Sequence, residues 1–389
     1  MSKRLDWGEN PQAIHLLQAA TVWLDKLRRR KGVVSEYSVA WWHFVSTWPL
    51  CLMSWLKAFR EGSYQFEPIH RYRFSDEVVD LWSYQDRMII ALLLAIIKPT
   101  FPHLISNRCL HLGGPTQVKT AITQIKSALC HKPYRYIIRF DIKSYYASID
   151  RAILLNQVKT GYDDPRVQGY FEQIIHHAID DGGNVFLPQT GIPLRSSLSP
   201  FLGALYLTPL DRALENRKGI FYLRYCDDGI ILMQTKAQFV RIKKVLFKIL
   251  RQLTLKISPH KTHLGKLGEK GFHFLGAQFF GSRNPRSKNP AGSVTLHLRS
   301  SRRALNKVQA MKQMGVPSSD IQSYLVRSSV WWTKSIGNPL SVSDIILQWI
   351  HLVETIPSPN AHLRALGMGI LFKLLGPGRA TALLRHCHA

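Results

Sequence analysis

Two carboxylates stand side by side at Asp227 and Asp228, in the segment Tyr225-Cys226-Asp227-Asp228, with the apolar runs Gly219–Leu223 before it and Gly229–Met233 after it. β-Prone stretches on both sides of an acidic dipeptide predict a hairpin with both carboxylates at its tip. Like charges that close repel unless a divalent cation joins them. A carboxylate cluster holding two ions about 3.5–4 Å apart is what two-metal phosphoryl transfer uses to activate an attacking hydroxyl and stabilise a leaving oxygen. On its own the pair reads first as a solvated turn. A third carboxylate shifts the balance. Tyr136, Ile137, Ile138 and Phe140 form a β-prone run that ends at Asp141, where a carboxylate can meet the hairpin across a sheet. Hard oxygen ligands of this kind suit Mg²⁺, with Mn²⁺ as a substitute, rather than zinc.

Between these segments runs Thr190-Gly191-Ile192-Pro193-Leu194-Arg195-Ser196-Ser197-Leu198-Ser199-Pro200, followed by the apolar stretch Phe201–Leu210. Ser199 is a candidate helix cap and Pro200 a first-turn residue. A glycine-proline loop entering a helix can hold a phosphate-bearing strand. Taken in order, FDIKSYYASID, GIPLRSSLSP with LGALYLTPLD, and YLRYCDDGIIL resemble motifs A, B and C of reverse transcriptases. Leu255–Lys261 resembles motif D, and Phe272-His273-Phe274-Leu275-Gly276 resembles the primer-grip hairpin, motif E. Upstream, Gly62–Pro68 and Asp86-Arg87 are similar to the fingers blocks of bacterial enzymes related to group II intron reverse transcriptases. The likeness covers about residues 55–280. Five motifs in the family's order are far more specific than one dipeptide.

The resemblance implies an α+β, right-hand polymerase fold with fingers, a palm built on an antiparallel sheet, and a helical thumb. It implies that Asp141 and Asp227 bind two metal ions with the Ile142 carbonyl, and that Asp228 completes the cluster. Tyr146, five residues after Asp141, matches the steric gate that selects deoxynucleotides; ordinary core packing is the alternative. Lys261 matches the motif D lysine that protonates the leaving pyrophosphate, or is one more phosphate-contacting lysine. Phe274, Leu275 and Gly276 match the primer grip. The implied activity is RNA-directed DNA synthesis, with an RNA template, a DNA primer or product, and deoxynucleoside triphosphates as partners.

Two departures stand beside these matches. Where most of the family has Pro-Gln-Gly, this chain has Pro193-Leu194-Arg195, which removes a polar contact to the incoming nucleotide and adds a charge. In the fingers, Glu77-Val78-Val79-Asp80-Leu81 replaces the strand that usually carries a basic residue, leaving Arg71 and Arg73 as the nearest candidates for the triphosphate, or as plain surface arginines. The wording PLRSSLSP is similar to that of unassigned bacterial reverse transcriptases, which suggests antiphage defence with a dedicated non-coding RNA. A maturase-like RNA-binding role and nucleotide addition with little external template are the alternatives.

Composition agrees with a polyanionic partner. The chain has 52 Lys and Arg against 25 Asp and Glu, a formal charge of +27, which attracts nucleic acid through long-range fields and counterion release. Lys26–Lys31, Arg241–Lys270 and Arg283–Lys312 carry much of the excess, although any one cluster also reads as a solvated helix face.

With 389 residues, 46% of them hydrophobic, there is material for two or three subdomains. The organisation read from the pattern is an N-terminal helical extension over 1–60 and fingers over 61–134. A palm follows over 135–280, interrupted by an insertion at 151–190 with helices at Ala152–Lys159 and Arg166–Ile179. A helical thumb and C-terminal region occupy 281–389. Gly281–Gly292 reads as a surface loop, and of Trp331 and Trp332 at least one is expected in the core. Val39–Leu56 reads as a helical pair broken at Pro49 rather than a membrane span, so no membrane partner is expected. Five cysteines without CxxC spacing point to reduced thiols and a cytoplasmic location, and His386-Cys387-His388 reads as a frayed terminus. No endonuclease zinc pattern is legible after the thumb.

Overall fold

A computed structural model describes residues 5, 7, 13–31, 39–73, 78–114, 116–268, 270–281 and 291–336. Glu77, most of the loop expected at Gly281–Gly292, and everything after 336, including His386-Cys387-His388, lie outside the described residues. The chain begins with helices α1 (Ala13–Lys31) and α2 (Val39–Glu61), then strands β1 (Ile69–Arg73) and β2 (Val78–Leu81), then helices α3 (Tyr84–Ile97), α4 (Phe101–Leu104) and α5 (Gln117–His131). Strand β3 (Tyr136–Phe140) is followed by α6 (Arg151–Gly161), α7 (Pro165–Ile175), β4 (Ile179–Asp181) and β5 (Asn184–Phe186). Next come α8 (Ser199–Tyr206), α9 (Thr208–Leu214), β6 (Ile220–Tyr225), β7 (Asp228–Met233), α10 (Lys236–Gln252) and β8 (His263–Lys266). Strands β9 (Phe272–Phe274), β10 (Ala277–Phe279) and β11 (Val294–Leu296) precede α11 (Leu298–Gln313) and α12 (Ser318–Ile336).

The central sheet has the order β6-β7-β3-β8 and is antiparallel throughout. Strands β3, β6 and β7 read as mostly apolar runs because both faces are covered, whereas β8 is a polar edge strand. Ile138, Tyr222, Ile231 and Met233 face a core shared with α6, α8 and α10. Ile137, Leu223, Ile230 and Leu232 face a second core shared with α5 and the β9–β11 sheet. Each such aliphatic side chain contributes roughly 1.5–3 kcal/mol on burial, so the sheet is a rigid platform. The β9–β11 sheet packs on α11 and α12 through the same second core.

Local chemistry sets the element ends. Thr235 and Gln238 close a full capping box at the start of α10, Asp150 caps α6 by accepting the Ile153 N–H, and Asp164 caps α7 with Pro165 at its first position. Three sequence expectations need correction. Helix α2 is one helix that runs through Pro49; its Trp41, Phe44, Leu52, Leu56 and Phe59 are buried, and packing outweighs the missing N–H. The second helix of the insertion ends at Ile175, and Ile179 instead opens β4, which pairs in parallel with β1. Residues 179–186 therefore complete the β2-β1-β4-β5 sheet. Ser199 is the first residue of α8 and not its cap. Among the described residues one run, Tyr84–Leu104, is long and apolar enough to cross a membrane; Met88, Ile89, Ile90, Leu92, Leu93 and Ile97 within it belong to the first core.

Candidate active site

Strand register brings the three carboxylates together. Phe140 pairs with Gly229 across β3 and β7, which sets Asp141, one residue further on, beside Asp228. Asp228 in turn pairs with Tyr225 across the hairpin, so Cys226 and Asp227 form a two-residue turn. Gly229 is required here: a Cβ on it would lie 2.1 Å from the Phe140 ring. Asp141 is buried, and its Oδ1 accepts a hydrogen bond from Lys261 Nζ at 3.2 Å. Burial, followed by repulsion from Asp227 and then Asp141, pushes the Asp228 carboxyl up to about 6. Burial also raises Asp227, with Asp141 adding to the effect.

Among the described residues no three His, Cys, Asp or Glu side chains close on one point as a finished metal cage. Three carboxylates repel, and Asp141 turns to the Lys261 ammonium instead. The donor set nonetheless fits a hard divalent cation, because oxygens forced together at raised pKa are those a dication relieves. Ile142 forms a bridge with Ile257. That bridge is closed by Ser258 N–H to the Asp141 carbonyl at 2.7 Å and Lys143 N–H to the Lys256 carbonyl at 2.9 Å, which leaves the Ile142 carbonyl out of it.

The turn itself is held by residues that sequence reasoning missed. Cys226 has φ of 55°, a left-handed conformation that costs a non-glycine residue about 1–2 kcal/mol. Both polar groups of its backbone are engaged. Its N–H donates to His111 Nδ1 at 3.1 Å, and Arg224 Nη1 donates to its carbonyl at 2.7 Å. With Nδ1 accepting, the His111 proton sits on Nε2, 3.0 Å from the Pro200 carbonyl at the start of α8. Burial holds His111 down at about 4, so the ring is neutral. Arg224 is fully buried and pairs with equally buried Asp211 of α9; its Nε donates to Asp211 Oδ1 at 2.9 Å, and the Tyr222 hydroxyl donates to the same oxygen at 2.6 Å. The signal for this pair was an Arg and an Asp standing inside apolar runs. His111 gives no local signal. Arg139, two residues before Asp141 on β3, was also missed: it donates to the His273 carbonyl at 2.9 Å and the Lys261 carbonyl at 2.6 Å, joining β9 to the turn that carries Lys261.

The remaining sequence-derived residues divide. Tyr146 is half-buried, its hydroxyl pKa raised by burial first and then by the nearby Cys226 and Asp227, and its ring packs on the Tyr145 ring at 5.3 Å between centroids. A Cβ on Gly203 of α8 would approach both rings to 3.1 Å. The gate candidate therefore lies beside the turn that carries Asp227. Leu194 is 65% exposed, and Arg195 lines a cavity against α1 and α3. Arg71 and Arg73 do not offer unpaired charge for a triphosphate. Arg71 makes a two-pronged pair with Asp80 at 2.7 and 2.8 Å, and Arg73 is paired with Asp181; the countercharges already satisfy them. At the expected primer grip, the Phe274 side chain is core, 3% exposed. The following turn, Leu275 with φ of 47° and Gly276 with φ of 79°, is tied to α11 because the His297 N–H donates to the Gly276 carbonyl at 3.0 Å. Trp332 packs on the second core and Trp331 is 38% exposed.

The family model described as reverse transcriptase (RNA-dependent DNA polymerase) matches residues 78–279. Protein YkfC of Escherichia coli (strain K12) is 22% identical over 237 residues, covering 51% of this chain and 62% of that protein. A solved structure of telomerase from Candida albicans, in complex with a TWJ fragment of telomeric RNA, aligns with a TM-score of 0.45 at 12% identity, covering 82% of this chain and 65% of that one. The chain spans less than two thirds of the length of each of these relatives. The family match covers more than half of the chain and contains Asp141, Asp227 and Asp228; this α+β protein, with the right-hand polymerase fold, belongs to the reverse transcriptase family.

Proposed function

We propose that the chain is an RNA-directed DNA polymerase that extends a primer with deoxynucleoside triphosphates on an RNA template. The observation that carries this reading is the meeting of Asp141, Asp227 and Asp228 at one end of the β6-β7-β3-β8 sheet, with Lys261 on Asp141. Two Mg²⁺ ions, with Mn²⁺ as a substitute, held by Asp141, Asp227, Asp228 and the Ile142 carbonyl would activate the primer hydroxyl and neutralise charge on the phosphates. The rest of the work would belong to the protein: the sheet fixes the carboxylates, Tyr146 would refuse a ribose 2′-hydroxyl, and Lys261 would give a proton to the departing pyrophosphate. The division into a helical extension, fingers, palm and thumb is proposed with it.

The biological setting we propose is bacterial antiphage defence with a dedicated non-coding RNA, in the cytoplasm. The similarity of PLRSSLSP to unassigned bacterial reverse transcriptases supports the first part, and five cysteines without CxxC spacing support the second. The test is to purify the protein from its host, sequence the bound RNA and any attached DNA, and repeat with the double variant Asp227→Asn, Asp228→Asn. DNA complementary to the bound RNA, absent from the variant, is the expected result. Unchanged DNA in the variant removes the catalytic assignment, and RNA without DNA product favours a maturase-like role.

A further inference from the structure

A cavity of about 380 Å³ opens between α1, α3 and the loop that leads into α8. Among its described lining residues the charged ones are Lys26 from α1, Arg87 from α3 and Arg195 from the loop, with no Asp or Glu. The indoles of Trp23 and Trp82 supply flat apolar surface, and Ser196 and Ser197 supply hydroxyls. The Ser196 Oγ already accepts the Leu198 N–H at 3.2 Å, so its proton is left to donate.

Arg87 is the informative residue. The other enclosed guanidinium groups meet acceptors: Arg166 pairs with Asp164, Arg224 with Asp211, and Arg151 donates to the Gly191 carbonyl. Among the described residues no carboxylate or carbonyl accepts from the Arg87 guanidinium, which instead lies 5.3 Å from the Tyr84 ring centroid. Burial alone holds its pKa below the ordinary arginine value. A partly desolvated cation with five donors and no acceptor is costly unless an anion comes to it. The volume is that of a small-ligand pocket, and indole faces beside cations are what a base attached to a phosphate needs.

We infer that this cavity binds the phosphate of a nucleotide through Lys26, Arg87 and the loop hydroxyls, with the base laid against Trp23. None of Asp141, Asp227, Asp228 and Tyr146 lines it, while Arg195, Ser196 and Ser197 on its wall belong to the loop expected to contact the nucleotide, so the inference deepens the polymerase reading and rests on it. The nucleotide is either free or one residue of a single strand. Binding needs no catalysis, so the inference is tested in EDTA, and its failure is separable from failure of the polymerase reading.

The probes are ATP and a fluorescein-labelled 12-nucleotide oligo(U), with affinities measured across a salt series. Lys26 is exposed on α1, as is Arg28, which does not line the cavity. Lys26→Gln is expected to weaken binding roughly threefold to tenfold and to lower the salt slope by about 1. Arg87→Gln should weaken it more than about tenfold, while Arg28→Gln stays within about twofold. If the ligand is a strand, only the oligonucleotide responds; if it is a free nucleotide, ATP responds as well. Thermal unfolding checks that Arg87→Gln is folded, and if it is not, the exposed Lys26→Gln decides. Losses with Lys26→Gln no larger than with Arg28→Gln, for both probes, overturn the inference, because a generally basic helix would give that result.

Discussion

Arg224→Met tests whether the carboxylate turn is held by a buried ion pair. Both Arg224 and Asp211 are 0% exposed, so removing the cation strands an anion with only the Tyr222 hydroxyl to stabilise it. Breaking a fully buried pair in this way costs about 3–5 kcal/mol. The Cys226 carbonyl also loses its donor at 2.7 Å, for about 1 kcal/mol, while the Ala204 carbonyl keeps the Thr208 hydroxyl at 3.3 Å. The expected loss is therefore about 5 kcal/mol in urea unfolding, with primer extension on an RNA template abolished. The double variant Arg224→Met, Asp211→Leu separates stability from positioning. It removes both charges, and replacing a buried pair by apolar residues is often neutral, so most of the stability should return. Activity should not, because the left-handed Cys226 still lacks its carbonyl donor. Recovery of activity along with stability would refute the positioning role and leave the pair as packing alone. A loss under about 1 kcal/mol in the single variant would refute the burial on which the reasoning rests.

Other substitutions probe separate parts of the site. Tyr146→Ala should raise ribonucleotide incorporation relative to deoxynucleotide on the order of tenfold or more, the removal of a clash worth at least about 1.4 kcal/mol; an unchanged kcat/KM ratio would place Tyr146 in the core only. Lys261→Met should leave unfolding within about 1 kcal/mol, since its side chain is 67% exposed, yet lower kcat about a hundredfold if Lys261 supplies the proton; equal kcat would remove that role. For pH, burial and then Arg151 hold His177 at about 4, below its unfolded value of about 6.5. The folded state thus prefers neutral His177, and the stability this represents is present above pH 6.5 and lost on acidification toward 4, by up to about 3 kcal/mol. His177→Asn should flatten thermal unfolding between those limits, and an unaltered acid slope would exclude His177 as its source.

The sequence alone carried a good deal. The positions of Asp141 at the end of β3 and of Asp227 and Asp228 at a hairpin turn were legible because such offsets survive folding: a hairpin tip is local, and β3 ends where its apolar run ends. What pairs with what was not legible. No local pattern told that Arg71 and Arg73 would be neutralised by Asp80 and Asp181, that Phe274 would face the core, or that residues 179–186 would leave the helix and join β1. Those outcomes depend on partners about 10 to more than 100 residues away, where burial and desolvation decide. The same holds for the clamp on Cys226. Its four residues, His111, Pro200, Asp211 and Arg224, come from separate segments, and only tertiary packing, which takes away water, makes an arginine and a neutral histidine the means of fixing a strained turn.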